Sequence, residues 1–418
     1  MSSIFQASPR ISTSARGELA NRNRWLLAPA APNAEIGVYV HIPFCAHICP
    51  YCDFNTYAGL SQLIPQYVAA VEQELALQAA DFAARPASSL FLGGGTPSQL
   101  SGTQVARIVS AARGAFTFEQ NAEITIETNP NDLSEAYCTG LLDAGVNRLS
   151  IGAQTLDRRG LRTLGRQHET SDIMQSMTDA YRAGFRNISL DFMYGWPGQT
   201  LDRWRSDLAQ ILSGAEGGIT PQHLSLYSLI VEPGTPMADA VTRGILAPVD
   251  DDTVADFAEI GHDMLSEAGW LHYEIANWAA RPSFISRHNA IYWRNGDYAG
   301  IGAGAHGHRD GQRTMNQPSP QRYIAALAGA GSARTNVEHI DEQTAIGETM
   351  MLGLRLLAAG VNREAFVRRH GIDLDDLFAE PIARMQAQGL LVDDENAIRL
   401  TERGGMLANA VAAEFLPT

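Results

Sequence analysis

The sequence predicts an α/β protein whose main domain is a parallel sheet curved into a barrel or partial barrel. Two observations carry this prediction. From residue 36 onward, short apolar strands alternate with helical segments six times, and glycines and polar residues follow the strand ends. Alternation of this kind is typical of a parallel sheet with helices packed outside it. Function is then expected at the carboxyl ends of the strands, where such barrels place their chemistry.

The six predicted strands are short apolar runs rich in β-branched and aromatic residues, as expected for buried strands. They cover residues 36–42, 88–95, 122–128, 147–153, 186–193 and 222–230. Apolar residues at helical spacing predict helices at about 64–83, 101–115, 133–144, 171–184, 200–213 and 251–268. Together these elements predict a partial (β/α)6 core over residues 35–270.

Outside this core the sequence changes character. Residues 271–334 are dense in His, Trp, Tyr and Gly without a helical period, and we expect them to extend the core. Residues 335–418 are mostly helical and end in a short hairpin and a helix, which indicates a winged-helix-like domain. Acidic residues decorate that domain, so we expect it to pack or to bind protein rather than DNA. Residues 1–34 are expected to be a disordered tail.

Composition narrows the function classes. The net charge is −15, which argues against broad nucleic-acid binding. All basic residues are arginines, so lysine Schiff-base chemistry is excluded. Four unevenly spaced cysteines do not form a disulfide pattern and favour a reducing, cytoplasmic setting. No apolar run is long enough to predict a transmembrane helix.

Three of the four cysteines, Cys45, Cys49 and Cys52, lie within eight residues directly after the first strand. Two interpretations of this CxxxCxxC spacing stay open. A structural zinc site needs four ligands, and His41 or His47 would have to complete it. A 4Fe-4S cluster usually takes four cysteines, so three would leave one iron free to bind a small molecule.

CxxxCxxC after the first strand of such a barrel, with an aromatic residue before the third cysteine, resembles the radical S-adenosylmethionine (SAM) superfamily. The resemblance implies a 4Fe-4S cluster whose open iron is chelated by SAM, and electron transfer that cleaves SAM to a deoxyadenosyl radical. "GGGTPS" resembles the glycine motif of the superfamily. The residues that it implies for SAM binding are Tyr39, Tyr51, Gly94, Gly95, Thr96, Glu127, Gln154, Arg166 and Asp191.

Further motifs resemble one group within this superfamily. "YVHIPFC", "RLSIGAQ", "LGRQH", "DFMYGWPGQT", "LYSLIVEPGT" and "YEIANWA" are similar to the group of oxygen-independent coproporphyrinogen III oxidase and its heme chaperone relatives. The oxidases carry another cysteine where this chain has Phe54, and they have a structured N-terminal extension that is not evident here. "HNAIYW" fits the HNxxYW pattern of the chaperones. The chaperone branch is therefore favoured, with the oxidase as the alternative.

Membership of the chaperone branch implies that the chain binds heme and transfers it to an acceptor protein. A respiratory membrane enzyme is one candidate acceptor, which would bring transient membrane contact, and a homodimer is another expectation. His288 is the candidate iron ligand, while Tyr292 and Trp293 would cover the macrocycle. Arg287 or Arg294 could reach a propionate. The alternative is that His288 and Asn289 hydrogen-bond a loop while Trp293 fills the core. His306 and His308 are alternative candidate ligands. Cys138 is expected to be a small buried hydrophobe.

Overall fold

The structure is a computed structural model that describes residues 35–82, 85–215 and 217–417. The predicted tail, residues 1–34, lies outside the described residues. Numbered in chain order, the strands of the core are β1 (Ile36–Ile42), β2 (Phe44–Cys45), β3 (Tyr57–Ala58), β4 (Ala87–Gly94), β5 (Phe118–Thr128), β6 (Arg148–Gln154), β7 (Ile188–Tyr194) and β8 (His223–Ser228). They are followed by β9 (Leu271–Glu274), β10 (Asn277–Ala279), β11 (Asp297–Ile301), β12 (His306–Arg309), β13 (Gln312–Asn316) and β14 (Arg334–His339).

The helices lie between these strands and after them. Those of the core are α1 (Ile64–Gln78), α2 (Gly102–Ala115), α3 (Glu135–Asp143), α4 (Arg158–Thr163), α5 (Thr170–Ala183), α6 (Leu201–Ser213), α7 (Pro236–Thr242) and α8 (Asp251–Glu267). The remaining ones are α9 (Arg287–Trp293), α10 (Pro320–Ala330), α11 (Glu342–Gly353), α12 (Arg363–His370), α13 (Leu374–Ala387), α14 (Glu402–Met406) and α15 (Ala408–Ala413).

Within the described residues, twelve strands form one sheet in the order β14-β13-β12-β11-β1-β4-β5-β6-β7-β8-β10-β9. The six predicted strands, β1 and β4 to β8, are neighbours in chain order and pair in parallel, so the predicted fold class is confirmed. The strands at the two edges, β14 and β9, do not pair with each other in this part of the chain. The sheet is therefore an open barrel.

Alternation along the strands separates an apolar outside from a polar inside. In β1, Ile36, Val38 and Val40 are fully buried against the helices. The residues between them face the other way, because successive side chains of a strand point to opposite faces. Tyr39 and His41 therefore lie on the inner face, and their side chains are hydrogen-bonded to each other. This inner face is where the candidate site residues gather.

Residues 271–339 extend the sheet at both edges, so the extension runs past the predicted boundary at residue 334 to the end of β14. β9 and β10 continue it beyond β8 as antiparallel strands. β11 pairs in parallel with β1, and β12 to β14 follow it as antiparallel strands. Between these two groups, α9 packs at the amino-terminal end of the barrel, where the Glu123 carboxylate accepts the backbone N–H groups of Arg287 and His288. A carboxylate at a helix N-terminus satisfies free backbone donors there.

The C-terminal part has an apolar core of its own, formed around Met350, Phe366 and Ile398. Its short strands β15 (Val361–Asn362), β16 (Leu391–Asp393) and β17 (Ala397–Leu400) form a three-stranded antiparallel sheet beside α11 to α15. This arrangement is the predicted mostly helical, winged-helix-like domain. Among the described residues, every helix is too short or too polar to cross a membrane.

Candidate cofactor site

The three clustered cysteines lie at the carboxyl end of β1, in the loop that carries β2 and β3. None of them forms a disulfide. The Thr96 hydroxyl donates to the Cys45 Sγ atom at 3.4 Å, and an Arg166 Nη1 atom donates to the Cys49 Sγ atom at 3.6 Å. Burial raises the pKa of the Cys45 and Cys52 thiols. Burial alone favours neutral thiols, whereas the Thr96 hydroxyl and the Arg166 cation favour thiolates of the kind that bind a metal centre.

The geometry argues against the zinc alternative. The described residues contain no group of three or more His, Cys, Asp or Glu side chains close enough to hold one metal ion. His41 uses both ring nitrogens, for Tyr39 and for the backbone oxygen of Asn55. The Nε2 atom of His47 lies 3.9 Å from the Cys49 Sγ atom, but it is bonded at 2.7 Å to the backbone oxygen of Gly165. An iron-sulfur cluster does not need its cysteines to converge on one ion, since each thiolate binds a different iron.

A glycine turn after β4 lies directly against the cysteine loop. A Cβ atom on Gly95 would lie 2.9 Å from the backbone oxygen of Phe44 and 3.0 Å from the Cys45 sulfur. Gly94 has a φ of 116°, which L side chains rarely adopt. Only glycine fits at these two positions. The predicted residues Gly94, Gly95 and Thr96 therefore adjoin Cys45, and the structure brings the glycine motif and the cysteines together.

The two predicted acidic residues face each other inside the barrel, near the strand ends. Glu127 accepts the Gly94 N–H at 2.9 Å, while Asp191 accepts hydroxyl hydrogen bonds from Ser150 at 2.8 Å and Ser189 at 3.2 Å. Burial raises the pKa of Glu127 to about 7, and the nearby charge of Asp191 adds to that effect. Burial also raises the pKa of Asp191. Such acceptors suit the hydroxyl and amine groups of a nucleoside.

Arg166 connects the carboxyl ends of β5 and β6 to the cysteine loop. Its Nη2 atom donates to the Asn129 Oδ1 atom at 2.5 Å and to the Gly152 backbone oxygen at 3.1 Å, besides the contact with Cys49. Gln154 ends β6 with a φ of 65°, which is strained for a residue other than glycine. Tyr51 packs near Arg166 and Cys49, and its pKa is raised by burial. These predicted residues therefore meet at one end of the barrel.

The HNxxYW segment is divided between two environments. His288 is 1% exposed inside the barrel, where its Nδ1 atom lies 2.8 Å from the Ser89 hydroxyl and its Nε2 atom 2.9 Å from the Tyr292 hydroxyl. Its ring also stacks on Phe91 at 5.1 Å. Burial lowers the pKa of His288 to about 3, and the charge of Arg148 contributes. The imidazole is neutral, and both of its nitrogens are engaged.

Trp293 lies apart from His288, at the contact between α9 and the C-terminal domain. It lines a pocket of about 200 Å³ together with Met351, Leu354 and Arg355. The guanidinium of Arg355 lies 4.6 Å from the centre of the indole ring. Both candidate propionate partners pair with acids: Arg287 with Glu119 and Glu35, and Arg294 with Glu35. In this conformation the predicted heme residues do not form one surface.

Two of the other histidines and the fourth cysteine are placed clearly. His308 is buried and bonded to the Gly296 backbone oxygen and to Asp297, whereas His306 is exposed after the loop that follows β11. Cys138 is fully buried in the apolar core, and burial raises the pKa of its thiol to about 12. The expectation that Cys138 is a small buried hydrophobe is confirmed.

Three residues of the site were not predicted. Asn129 holds Arg166, and Asn55 donates to the backbone oxygens of Ala303 and Pro318, which ties the cysteine loop to the sheet extension. Arg148, at the start of β6, is buried inside the barrel. Asn129 lies two residues after the predicted residue Glu127 and could have been considered for that reason. Nothing local in the sequence marks the other two.

Comparison with known proteins agrees with this geometry. The Radical SAM superfamily profile matches residues 39–211, and the HemN C-terminal domain profile matches residues 340–407. The coproporphyrinogen III oxidase HemN from Escherichia coli has a similar fold, with a TM-score of 0.77 over 97% of this chain and 93% of that one, at 23% identity. That structure is described as a radical SAM enzyme. Fold, cysteine loop and glycine turn together define a radical SAM protein.

Sequence identity to individual proteins shows which family of radical SAM proteins the chain belongs to. The heme chaperone HemW of Bacillus subtilis is 38% identical, with 90% of this chain and 98% of the relative aligned. The Escherichia coli heme chaperone HemW is 34% identical, with 91% and 98% aligned. A bovine mitochondrial protein, radical S-adenosyl methionine domain-containing protein 1, is 32% identical, with 93% and 89% aligned. The chain belongs to the HemW family.

Proposed function

We propose that this protein is a heme chaperone, which binds heme and transfers it to an acceptor protein. The observation that carries the proposal is identity of 34–38% to heme chaperones over about nine tenths of the chain. Phe54 supports it, because the oxidases have a cysteine there and this aromatic ring is 68% exposed. The expected cellular setting is the cytoplasm, with transient membrane contact if the acceptor is a respiratory membrane enzyme.

Cys45, Cys49 and Cys52 would hold a 4Fe-4S cluster whose fourth iron site remains open for SAM. When bound, this cluster supplies electrons and a Lewis-acidic iron. The chain's own residues bind and orient the ligand beside it. Gly94 and Gly95 let backbone approach closely, and Arg166 offers a cation for a carboxylate. The acids at Glu127 and Asp191 accept hydrogen bonds, while Tyr39, Tyr51, Thr96 and Gln154 complete the proposed SAM surface.

Heme binding by His288 requires a rearrangement, because an iron ligand needs a free ring nitrogen. One of the hydrogen bonds to Ser89 or Tyr292 must break before His288 can coordinate iron. Tyr292 and Trp293 would then cover the macrocycle. His306, which is exposed, is the alternative ligand that needs no such change. A homodimer is part of the same proposal.

An anaerobic turnover assay separates the chaperone from an oxidase. Reconstituted protein receives coproporphyrinogen III, SAM, a reductant and an electron acceptor, and an authentic oxidase is assayed in parallel. The chaperone proposal predicts no protoporphyrinogen above background from protein with a full cluster that binds SAM. Product formation at a rate comparable to the control would establish the enzyme and overturn the proposal.

A further inference from the structure

Arg148 is a buried cation on the inner face of the barrel, at the start of β6. It is 2% exposed, and its Nε atom has no hydrogen-bond partner among the described residues. Register places it opposite Thr125, one inward position before the pair of Glu127 and Ser150. An arginine cannot lose its proton in a protein, so this position carries a fixed charge. Burying such a charge is unfavourable unless opposite charges compensate it.

The compensating charges are the two acidic residues of the proposed SAM site. The positive charge of Arg148 acts on both Glu127 and Asp191 and lowers the pKa of each, against the larger opposing effect of burial. The hydrogen bonds that these carboxylates accept within the described chain come from the Gly94 N–H and from serines. Arg148 therefore acts through space, and it leaves the carboxylate oxygens available to a ligand.

A charge count shows why the site needs this arginine. Two carboxylates in one poorly solvated interior repel each other, and one of them then takes up a proton. A single buried arginine offsets one of the two negative charges. A carboxylate ligand bound at Arg148 itself would add a third negative charge, so an anion site there is disfavoured. The same charges favour a cationic guest, and SAM carries a sulfonium.

We infer that Arg148 is a positioning residue for SAM: its buried positive charge balances the paired carboxylates Glu127 and Asp191, so that they can accept hydrogen bonds from the ligand, and it does not itself contact the ligand. This inference rests on the proposed SAM site. An ionised carboxylate can accept from both ribose hydroxyls with either oxygen, whereas a protonated one carries a donor on one oxygen and keeps less acceptor capacity. The phenols of Tyr39, Tyr227 and Tyr292 face Glu127 and stay neutral because burial raises their pKa. The charge of Arg148 also acts on His223 and His288, whose pKa is lowered mainly by burial, so both imidazoles are neutral as well.

The test is SAM affinity as a function of pH, measured by anaerobic equilibrium dialysis on cluster-loaded protein. Wild-type affinity is expected to rise as pH increases through about 7, where Glu127 ionises. In Arg148→Met the midpoint moves up by about one pH unit, so affinity at pH 7 falls about fivefold and recovers at alkaline pH. Arg148→Lys keeps the positive charge and should therefore show the wild-type dependence of SAM affinity on pH. Thr125→Val, which alters the opposite side chain without a charge change, leaves the profile in place.

Two results would overturn the inference: a folded Arg148→Met variant with the wild-type midpoint, or one whose affinity falls equally at every pH. Should that variant not fold, the double variant Arg148→Met with Glu127→Gln removes one charge of each sign. Recovery of its melting temperature and iron content supports the electrostatic role, and a double variant as unstable as the single one contradicts it. Glu127→Gln alone tests the SAM site separately, because wild-type SAM affinity in that variant would remove Glu127 from the site, whatever Arg148 does.

Discussion

The Nδ1 atom of His288 lies 2.8 Å from the hydroxyl oxygen of Ser89, at the amino-terminal end of the barrel. The side chain expected to bind heme iron is thus part of the packed interior. Its other nitrogen is bonded to Tyr292, and its pKa is lowered to about 3 by burial. A change of conformation must precede coordination, and the free energy of that change reduces the apparent heme affinity.

The first prediction concerns this change. Tyr292→Phe keeps an aromatic ring for the macrocycle and removes the hydroxyl that engages the Nε2 atom of His288. If His288 is the ligand, heme affinity should increase about twofold to tenfold, because one hydrogen bond no longer competes with iron. Heme titration followed by absorbance measures it, with His288→Ala as the reference that loses this coordination. Weaker binding by Tyr292→Phe would show that the hydrogen bond supports the heme site.

The second prediction concerns the cluster. Cys49→Ala should fail to retain a full cluster, since one iron loses its thiolate. Iron and sulfide are quantified after anaerobic reconstitution. Cys138→Ala is the matched control, because Cys138 is a free cysteine buried in the apolar core, away from the loop. Full iron content in Cys49→Ala would contradict the assignment of the three cysteines.

The third prediction concerns Asn129, whose Oδ1 atom accepts a 2.5 Å hydrogen bond from Arg166. Asn129→Ala leaves the guanidinium without this acceptor, and hydrogen bonds to charged groups contribute more than neutral ones. SAM affinity should fall about tenfold, as measured by equilibrium dialysis. Asn336→Ala, on the exposed strand β14, should bind SAM normally. Equal SAM affinity of the two variants would show that Asn129 does not contribute to SAM binding.

The fourth prediction concerns Glu274 of the "YEIANWA" motif, which is 1% exposed and accepts hydrogen bonds from Asn277 and from the backbone of Ala276. Burial raises its pKa from 4.5 to about 7. The folded state therefore binds this proton more tightly than the unfolded state, and the stability it contributes is lost as pH rises through about 7.

The Glu274→Gln variant carries an amide, which does not ionise in this pH range. Between about pH 4.5 and pH 8, the free energy of unfolding of the wild type should fall by up to about 3 kcal/mol relative to this variant. Urea denaturation at both pH values measures the difference. Glu380→Gln, which changes an exposed carboxylate paired with Arg384, should follow the wild type. A pH-independent difference between wild type and Glu274→Gln would mean that Glu274 keeps an ordinary pKa.

The sequence predicts those strands of the sheet whose buried residues form one continuous apolar run. β1 and β4 to β8 are apolar runs between helices, so their pattern indicates both strand and direction. β11 could not be found in this way, because "DYAGI" is short and begins with an acid. Asp297 can be buried there because His308 bonds to it and because Arg85, from more than two hundred residues away, pairs with it at 2.5 Å.

The same limit applies to the site. The cysteine and glycine motifs are local, and their meeting follows from the parallel order of the strands. Arg148 resembles a surface residue at the start of a strand, and only the curvature of the sheet buries it beside Glu127. The hydrogen bond between Ser89 and His288 joins residues far apart in sequence, so the HNxxYW motif could suggest heme binding but not its buried state.

Heme transfer is the measurement that tests the proposed chaperone function most directly. Cluster-loaded protein is charged with heme and mixed anaerobically with a heme-free acceptor, and the acceptor's absorbance spectrum is followed over time. Serum albumin charged with heme serves as the passive donor. A chaperone should load the acceptor faster than albumin does, at a rate that rises with acceptor concentration. Loading at a constant rate set only by spontaneous heme dissociation, or no heme binding beyond that of an unrelated acidic protein, would contradict it.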